Sequence, residues 1–487
     1  MRIATNVSAI VSNNALQKSQ DRLTKSIARL SSGYKINSSS DDAAGYAISE
    51  KMRLQLRGLN QADNNAADGV SVLHTAEGAM EEIQSMLARM KELSVQAANG
   101  TNSVDERSAI QSEIDSLNSE IDRISSNTEF NSQTLISGNL SRRVYSNYEG
   151  VNQIEVSDNF VAGNYGITIT QDARQAIVVG NGAVTMSDTA TVTKEQAGTI
   201  SMNGYGIEIS EGDTLAGIMG KLVDGADKIG GRVFAITAGA TNDTKVNGTD
   251  YAGYEPQTSY AGNNIVFMTK ESGSSKTMNI TCSNAELANM LGIATAATNS
   301  GMYAEGSDVQ AEFTLDNDGK RVGFADSAVI STSGTRVTVK DVNNRTFVTD
   351  VPSNVAGTQF SDTAKADDKS TATSTQTAKV TQEVTDVGTM SVHVGANENQ
   401  VILIDIPAVT SYTLGTENLN VMTSVTASEA IDTIDTAVAY ANRVRSQMGA
   451  YENRFEHTTN NLGTASENLT SAISTMTDTD MAEEMTE

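Results

Sequence analysis

Tryptophan is absent from this chain, cysteine occurs once, histidine occurs three times, and aromatic residues make up only 5% of the sequence. Each shortage excludes something. A single cysteine, Cys282, cannot build an internal disulfide framework, and cysteine-based zinc sites need at least two thiolates. His74, His393 and His457 stand apart in the sequence with no HExxH pair among them, whereas metal and acid–base centres need convergent groups. GxxxxGK[ST], GxGxxG and GxSxG patterns do not occur, which removes the usual phosphate-binding and hydrolase signals. Basic residues are also scarce: 34 Lys and Arg face 60 acids, a formal charge of −26. That balance disfavours nucleic acid and anionic membrane surfaces as partners. No apolar run of about 18 residues or more is present to span a membrane. The N-terminal MRIATNVSAIVSNNALQKSQ has one early arginine but neither a continuous apolar core nor a small-residue cleavage site, so it does not read as a signal peptide. The expectation is a protein that is not an enzyme and that has no cofactor, no metal, no nucleic-acid partner and no membrane partner.

Small polar residues and methionine are plentiful instead, a composition that suits long packed helices, and 487 residues leave room for roughly three domains. The first third has helical periodicity. Ile3, Val7 and Ile10, then Leu16, Leu23, Ile27 and Leu30, recur at helical spacing and form one apolar seam on an otherwise almost uncharged, Asn/Ser-rich helix over residues 1–32. A polar stretch follows Gly33, and Ser40 reads as the N-cap of the next helix, with Asp41 and Asp42 in its first turn, where the helix dipole favours acids. This helix can run to about Asn99, a rod of about 80 Å, with Leu73, Ala76, Met80, Ile83, Leu87 and Met90 as its seam and Gly100 as its stop. Ser103 and Glu106 form a capping box for a third helix. Its seam of Ile110, Ile114, Leu117, Ile121 and Ile124 has the 4-3-4-3 spacing of a coiled coil.

From about residue 140 the pattern changes. YGITIT, GTISM, YGIEIS, NIVFMT, MNITC and RVTVKDV, separated by Gly, Asn and Asp, read as short antiparallel strands. TLAGIMGKLVDGADKI and AELANMLGI read as the helices of this region, and DTAKADDKSTATSTQTAK, residues 362–379, as a surface loop or linker. Helix returns where Thr426 and Glu429 form a second capping box. Ile431, Ile434, Val438, Ala441 and Met448 start a stripe that continues through Phe455, Leu462, Leu469, Ile473 and Met476. At the end of the chain, TDTDMAEEMTE places Asp480 and Glu483 as the start signal of a helix with no apolar repeat after it.

The economical architecture is α+β: a long antiparallel helical rod or coiled coil formed by the N- and C-terminal segments, with a β-rich domain inserted between them. Its expected boundaries are 1–39 for the first helix and connector, 40–139 and 386–475 for the two parts of the rod, 140–385 for the inserted region and 476–487 for a terminal stub. The rod helices can satisfy one another. The seam of residues 1–32 has no mate, so that segment is expected to be disordered in an isolated monomer.

LSSGYKINSSSDDAAGYAIS at 30–49, LARMKELSVQAANGTNS at 87–103, RSQMGAYENRFEHTTNNL, SENLTSAIS and DMAEEM resemble, in order, the signature segments of bacterial flagellin. Within the first, Leu30, Ser31, Ser32, Gly33, Ile36, Asn37, Asp41, Asp42, Ala43, Ala44 and Gly45 carry the match, which covers about residues 1–137 and 390–487 overall. TISMNGYGIEISEGDTLAGI at 199–218 is similar to a shorter element of flagellin and hook-protein outer domains. The resemblance implies an inner coiled-coil tube of terminal helices, a helical rod around it and a solvent-facing variable β-rich domain. It implies a mechanical function: copies of the chain pack helically into a hollow filament. Implied partners are the chain itself, the flagellar export apparatus, filament cap and junction proteins, an export chaperone, and the flagellin-sensing Toll-like receptor. Passage through the type III export channel gives an extracellular address without signal cleavage. For the receptor, the matching positions are Arg89, Leu93, Gln96 and Glu113.

Two departures stand out. Thr475 and Met476 replace the family's Arg-Ile pair, and the family continues past MAEEMTE into an apolar helix that pairs with the N-terminal helix and binds the export chaperone. The expectation is therefore a chain cut before that helix, with polymerisation and chaperone binding affected. Alternative readings are a hook–filament junction protein, and an adhesive surface module carried by residues 140–385, for which the sequence offers no aromatic cluster.

Overall fold

The structure is a computed structural model that describes residues 7–157, 160–237, 261–293, 302–316, 318–341, 345–353, 355–356, 359–361, 371–374, 377–385 and 387–486. Its helices are α1 (Val7–Ser32), α2 (Ala43–Ala98), α3 (Val104–Asn127), α4 (Leu215–Lys228), α5 (Ala285–Met290), α6 (Ser411–Leu414), α7 (Ser424–Thr477) and α8 (Met481–Glu484). No helix among the described residues is long and apolar enough to cross a membrane. The chain divides into two compact units, one of residues 1–74, 390–404 and 447–487, the other of residues 75–389 and 405–446.

In the first unit, the N-terminal part of α2 and the C-terminal part of α7 bury Ala62, Ala66, Leu73, Tyr451, Phe455 and Leu462. The approach is close enough that a Cβ on Gly69 would stand 3.0 Å from the ring of Phe455, so only glycine fits there without a shift. A hairpin, Met390–His393 paired with Val401–Ile404, adds Val392, Ile402 and Ile404 to the buried set and accepts a hydrogen bond from Asn65 Nδ2 at the His393 carbonyl, 2.9 Å away. Helix α1 also belongs to this unit and has no buried residue. Against the expected disorder, the structure describes the segment from Val7 onward as a helix, and none of its residues is buried.

The second unit contains the three-helix part of the rod and the β-rich region. Along α2, Ala76, Met80, Ile83, Leu87, Met90, Leu93 and Ala97 are buried. Polar ties at the edges fix the register of α2 against α7. Arg445 Nε meets Glu77 Oε1 at 3.1 Å, Gln84 Nε2 meets Asn442 Oδ1 at 2.7 Å, Lys91 Nζ meets Asp435 Oδ1 at 2.5 Å, and Ser424 Oγ reaches the Ala98 carbonyl at 2.8 Å. Residue numbers rise on one helix as they fall on the other, so the pair is antiparallel.

Local chemistry corrects several expected details. The Ser103–Glu106 capping box is present. At the start of α2, however, Asp42 rather than Ser40 accepts the free backbone donors, from Ala44 and Gly45 at 3.0 Å each. The start of α7 uses a reciprocal Thr423–Thr426 box, with 3.1 Å between each backbone nitrogen and the other residue's hydroxyl, and Glu429 takes no part. On α3, Ile110, Ile114 and Ile121 are buried but Leu117 and Ile124 are only half-buried. Asn118 and Ser125 occupy the buried positions instead, because each bonds a distant carbonyl, Thr416 at 2.7 Å and Ile136 at 3.0 Å. On α7, Ile434 is buried while Ile431 and Val438 are half-buried, and Ala427, Ala430 and Ala437 hold the closest-packed positions. Small side chains allow helices to approach, so periodicity of large residues alone misplaces the stripe.

The β-rich region has two cores. One joins the sheet ordered Met302–Glu305, Thr277–Cys282, Gly198–Met202, Tyr205–Ile209 and the sheet ordered Gln175–Val179, Asn263–Ser272, Gly231–Thr237 around α4 and α5. The other lies between the sheets ordered Gln310–Phe313, Gly163–Gln171, Ala378–Val384, Val144–Ser146 and Val329–Ser333, Arg336–Lys340, Thr346–Asp350, Asn152–Val156. All the pairings are antiparallel. The second core gathers Phe160, Tyr165, Phe313, Phe324 and Phe347, with ring centroids 5.1–6.3 Å apart. This aromatic cluster, unforeseen in the sequence, is mostly buried and acts as core. Residues 362–379 are not wholly a loop: Thr371–Ser374 pairs with Gln359–Ser361, and a strand begins at Ala378, while residues 362–370 and 375–376 lie outside the described set.

Candidate assembly and recognition surfaces

Helix α1 ends in a built connector. Gly33 takes the left-handed conformation (φ +76°) with its N–H on the Arg29 carbonyl at 2.7 Å, the glycine stop expected past a helix. The next residues are tied to the junction of α7 and α8. Lys35 N–H donates to the Thr477 carbonyl at 2.6 Å, Thr479 N–H donates to the Gly33 carbonyl at 3.0 Å, and Arg29 Nη1 lies 3.4 Å from Glu484 Oε1. Asp41 accepts from the backbone of Ser38 (3.0 Å) and Asn37 (3.2 Å), which holds its carboxyl below the usual carboxylate range. Asp480 caps α8 through Ala482 and Glu483 N–H. The SSGYKINSSSDD run is thus a connector held by capping groups and by bonds to the α7–α8 junction.

Beyond that anchor the helix is bare. Val7, Ile10, Leu16, Leu23 and Ile27 are 52–65% exposed and Leu30 is half-buried, while Ile3 lies outside the described residues. Fully covering one such side chain is worth roughly 1.5–3 kcal/mol. Among the described residues nothing covers this row.

The second surface lies where α2 faces α3. Arg89 is exposed, and its Nη2 and Nε reach Glu113 Oε1 at 2.8 and 3.0 Å while Nη1 reaches Glu92 Oε2 at 3.3 Å. The bonds from Glu113, then Glu92, hold the guanidinium above its ordinary range. Gln96 is exposed and one turn from Glu92. Leu93 departs from the expected contact set: it is 2% exposed and belongs to the helix core, so its side chain positions the surface rather than presenting itself on it.

Further groups had no clear signal in the sequence. The last three carbonyls of α2 and the one just past it are each met by a side chain: Gln96 by Asn102 Nδ2 (2.6 Å), Ala97 by Arg107 Nε (2.9 Å), Ala98 by Ser424, and Asn99 by Arg107 Nη2 (3.0 Å). Gly100, the expected stop, is not in a left-handed conformation. Glu155, almost wholly buried, is held two-pronged by Arg443 at 2.8 and 2.5 Å, which joins the β-rich region to α7. Within the second unit, a cleft of about 270 Å³ is lined by Asp227, Lys270, Lys276 and Glu429 among others. Its lysines are committed to ion pairs, Lys270 with Asp227 at 2.7 Å and Lys276 with Glu271 at 2.8 Å. His74 faces Glu452 at 3.5 Å, with both side chains open to solvent.

Seam-bearing helices drawn from both ends of the chain, together with an uncovered apolar helix face, define the class as a structural subunit that packs through its helices. Residues 3–141 match the family model for the bacterial flagellin N-terminal helical region, and residues 431–487 match that for the C-terminal helical region. The flagellin of Clostridium tyrobutyricum is 30% identical over 98% of this chain and 92% of its own length. The flagellin of Salmonella typhimurium strain LT2 is 29% identical over 99% and 93% respectively. The solved structure of FliC from Burkholderia pseudomallei aligns over 79% of this chain and 99% of that one, at 14% identity and a TM-score of 0.23. The chain belongs to the flagellin family. It is a structural subunit of the bacterial flagellar filament, and the likeness along nearly the whole chain favours this over a junction protein.

Proposed function

We propose that the uncovered face of α1 is the surface through which copies of this chain join in a helical homopolymer, and that this mechanical role involves no catalysis. The observation that carries the reading is the row Val7, Ile10, Leu23 and Ile27, exposed on a helix whose end is anchored to α8. In this reading the rod is made of residues 40–139 and 386–475, the insert at 140–385 faces solvent, and the subunit leaves the cell as an extended chain through the flagellar export apparatus, without a cleaved signal, to an extracellular filament bounded by cap and junction proteins. A chain that forms its structure by packing, with the single thiol of Cys282, suits that route. Electron microscopy of purified chain incubated with filament seeds tests the assembly role. Wild type elongating while Ile10→Asp does not supports it, and equal elongation would overturn it.

The surface of Arg89, Gln96 and Glu113, with Leu93 holding it from beneath, is the proposed site for the flagellin-sensing Toll-like receptor. The Arg89–Glu113 pair presents a pre-set, charged, solvent-facing feature on rigid helices. Arg89→Ala should lower receptor signalling and leave the fold unchanged. Equal potency would remove Arg89 from the site.

A further inference from the structure

We infer that Asn99 is a site of spontaneous, succinimide-forming deamidation, written into the turn between α2 and α3. The reaction needs an asparagine amide free to rotate and a following backbone nitrogen free to attack it, and glycine in the second position offers least steric resistance. Asn-Gly pairs occur at 99–100, 181–182 and 203–204 among the described residues, and a further pair at 247–248 lies outside them.

The fold sorts these pairs. Asn203 is held in the hairpin turn by both ends of its amide: Oδ1 accepts from Asn279 N–H at 2.7 Å and Nδ2 donates to the Thr277 carbonyl at 2.8 Å. Asn181 is exposed, but the nitrogen that must attack is committed, since Gly182 N–H donates to the Gly292 carbonyl at 3.2 Å. At Asn99 neither lock exists. Asn99 and Gly100 are both exposed, the Asn99 amide takes one long bond at Oδ1 from Thr101 N–H (3.3 Å), and Gly100 N–H makes no backbone hydrogen bond among the described residues.

In the step itself, Gly100 N loses its proton to solvent and attacks Asn99 Cγ. The N–Cγ bond forms, the Cγ–Nδ2 bond breaks, and Nδ2 leaves as ammonia with protons from water. Water then opens the ring at either carbonyl, its hydroxyl going to carbon and its proton to the ring nitrogen, to give aspartate or isoaspartate. One water is consumed and one ammonia released, without oxidation or reduction. The isoaspartate form lengthens the main chain by one methylene at the residue whose carbonyl Arg107 holds at 3.0 Å while also holding Ala97 at 2.9 Å. That two-point cap cannot survive the insertion, whereas plain aspartate leaves it intact.

The test is peptide mapping by mass spectrometry of the intact chain aged in mildly alkaline buffer. Asn99 should convert at least about tenfold faster than Asn181 or Asn203 in the folded chain, and the three should converge in denaturant, where glycine's freedom is common to all. Equal rates in the folded chain would overturn the inference. Gly100→Ala supplies the control, because a Cβ there meets nothing within 4 Å and the backbone is not left-handed, so the variant folds normally. It should slow conversion of Asn99 by about tenfold or more through steric resistance at the attacking nitrogen, and an unchanged rate would also overturn the inference. For the consequence, amide exchange over residues 96–103 should quicken in isoaspartate-bearing chains but not in Asn99→Asp. Matching exchange in the two would refute the loss of the cap.

Discussion

Helices α1 and α3 carry seams that look alike in sequence and differ in everything the seam does. Each repeats branched apolar residues at helical spacing, in strict fours and threes on α3 and with wider gaps of six and seven between Ile10 and Leu23 on α1. On α3 the seam is occupied, with Ile114 and Ile121 fully buried and polar residues such as Asn118 and Gln111 stitched to the chain near residues 416–421. On α1 nothing is buried. The difference teaches that an apolar period specifies an amphipathic helix but not the owner of its partner. Where a partner within the chain covers the seam it becomes stability, and where no described residue covers it the same pattern stays exposed, the surface proposed here for assembly.

The comparison can be broken by placing one charge in each seam. Ile114→Asp puts an unpaired carboxylate where no water reaches and should cost about 4 kcal/mol or more, visible as a large fall in the thermal midpoint. Leu23→Asp should leave that midpoint unchanged, because Leu23 is 61% exposed, and should act only on elongation of filaments. Equal loss of stability in the two variants would mean that α1 is packed in the monomer after all. Amide exchange sharpens the point: with no tertiary cover, a 26-residue helix rests on propensity alone. Residues 7–32 should therefore exchange far faster than 104–127.

A second contrast concerns how the β-rich region is held to the rod. The Glu155 carboxylate is desolvated and, among the described residues, is answered by a two-pronged bond from Arg443. Removing one partner of a buried pair typically costs about 3 kcal/mol or more, whereas replacing both with uncharged residues is often nearly neutral. Arg443→Met should therefore destabilise strongly, and the addition of Glu155→Gln should restore much of the loss. An additive double variant in denaturant titrations would show that the two side chains act separately.

What could be read from the sequence depended on how far apart the cooperating residues are. The Ser103–Glu106 box was legible because both partners sit within one turn. At the start of α7 the Thr426–Glu429 pair fits the same template, yet Thr423, three residues earlier, takes the Thr426 hydroxyl instead. Alternation and period reveal six strands of the middle region and its two helices, but not strands such as Gln175–Val179, Thr346–Asp350 and Ala378–Val384. The burial of Asn118 and Ser125 was not, since it depends on the carbonyls of Thr416 and Ile136, and neither was the core role of Leu93. Arg89 and Glu113 stand 24 residues apart on different helices, and only the family resemblance drew attention to them.

The smallest expected effect tests the capping of α3. Glu106 accepts from Ser103 N–H at 2.7 Å, and that bond, reinforced by the Ser103 hydroxyl, holds its pKa below the ordinary glutamate value. A carboxyl whose folded pKa is depressed contributes its stabilisation above the unfolded value, about 4.3, and loses it as pH falls through the folded one. Amide protection at residues 104–107 should therefore weaken on acidification through the carboxylate range. Glu106→Gln keeps the geometry of the box without the charge, so its protection should be lower at neutral pH and flat across that range. If the variant keeps the same pH response as wild type, the titrating group lies elsewhere, and the α3 cap is held by the Ser103 hydroxyl on Glu106 N–H alone.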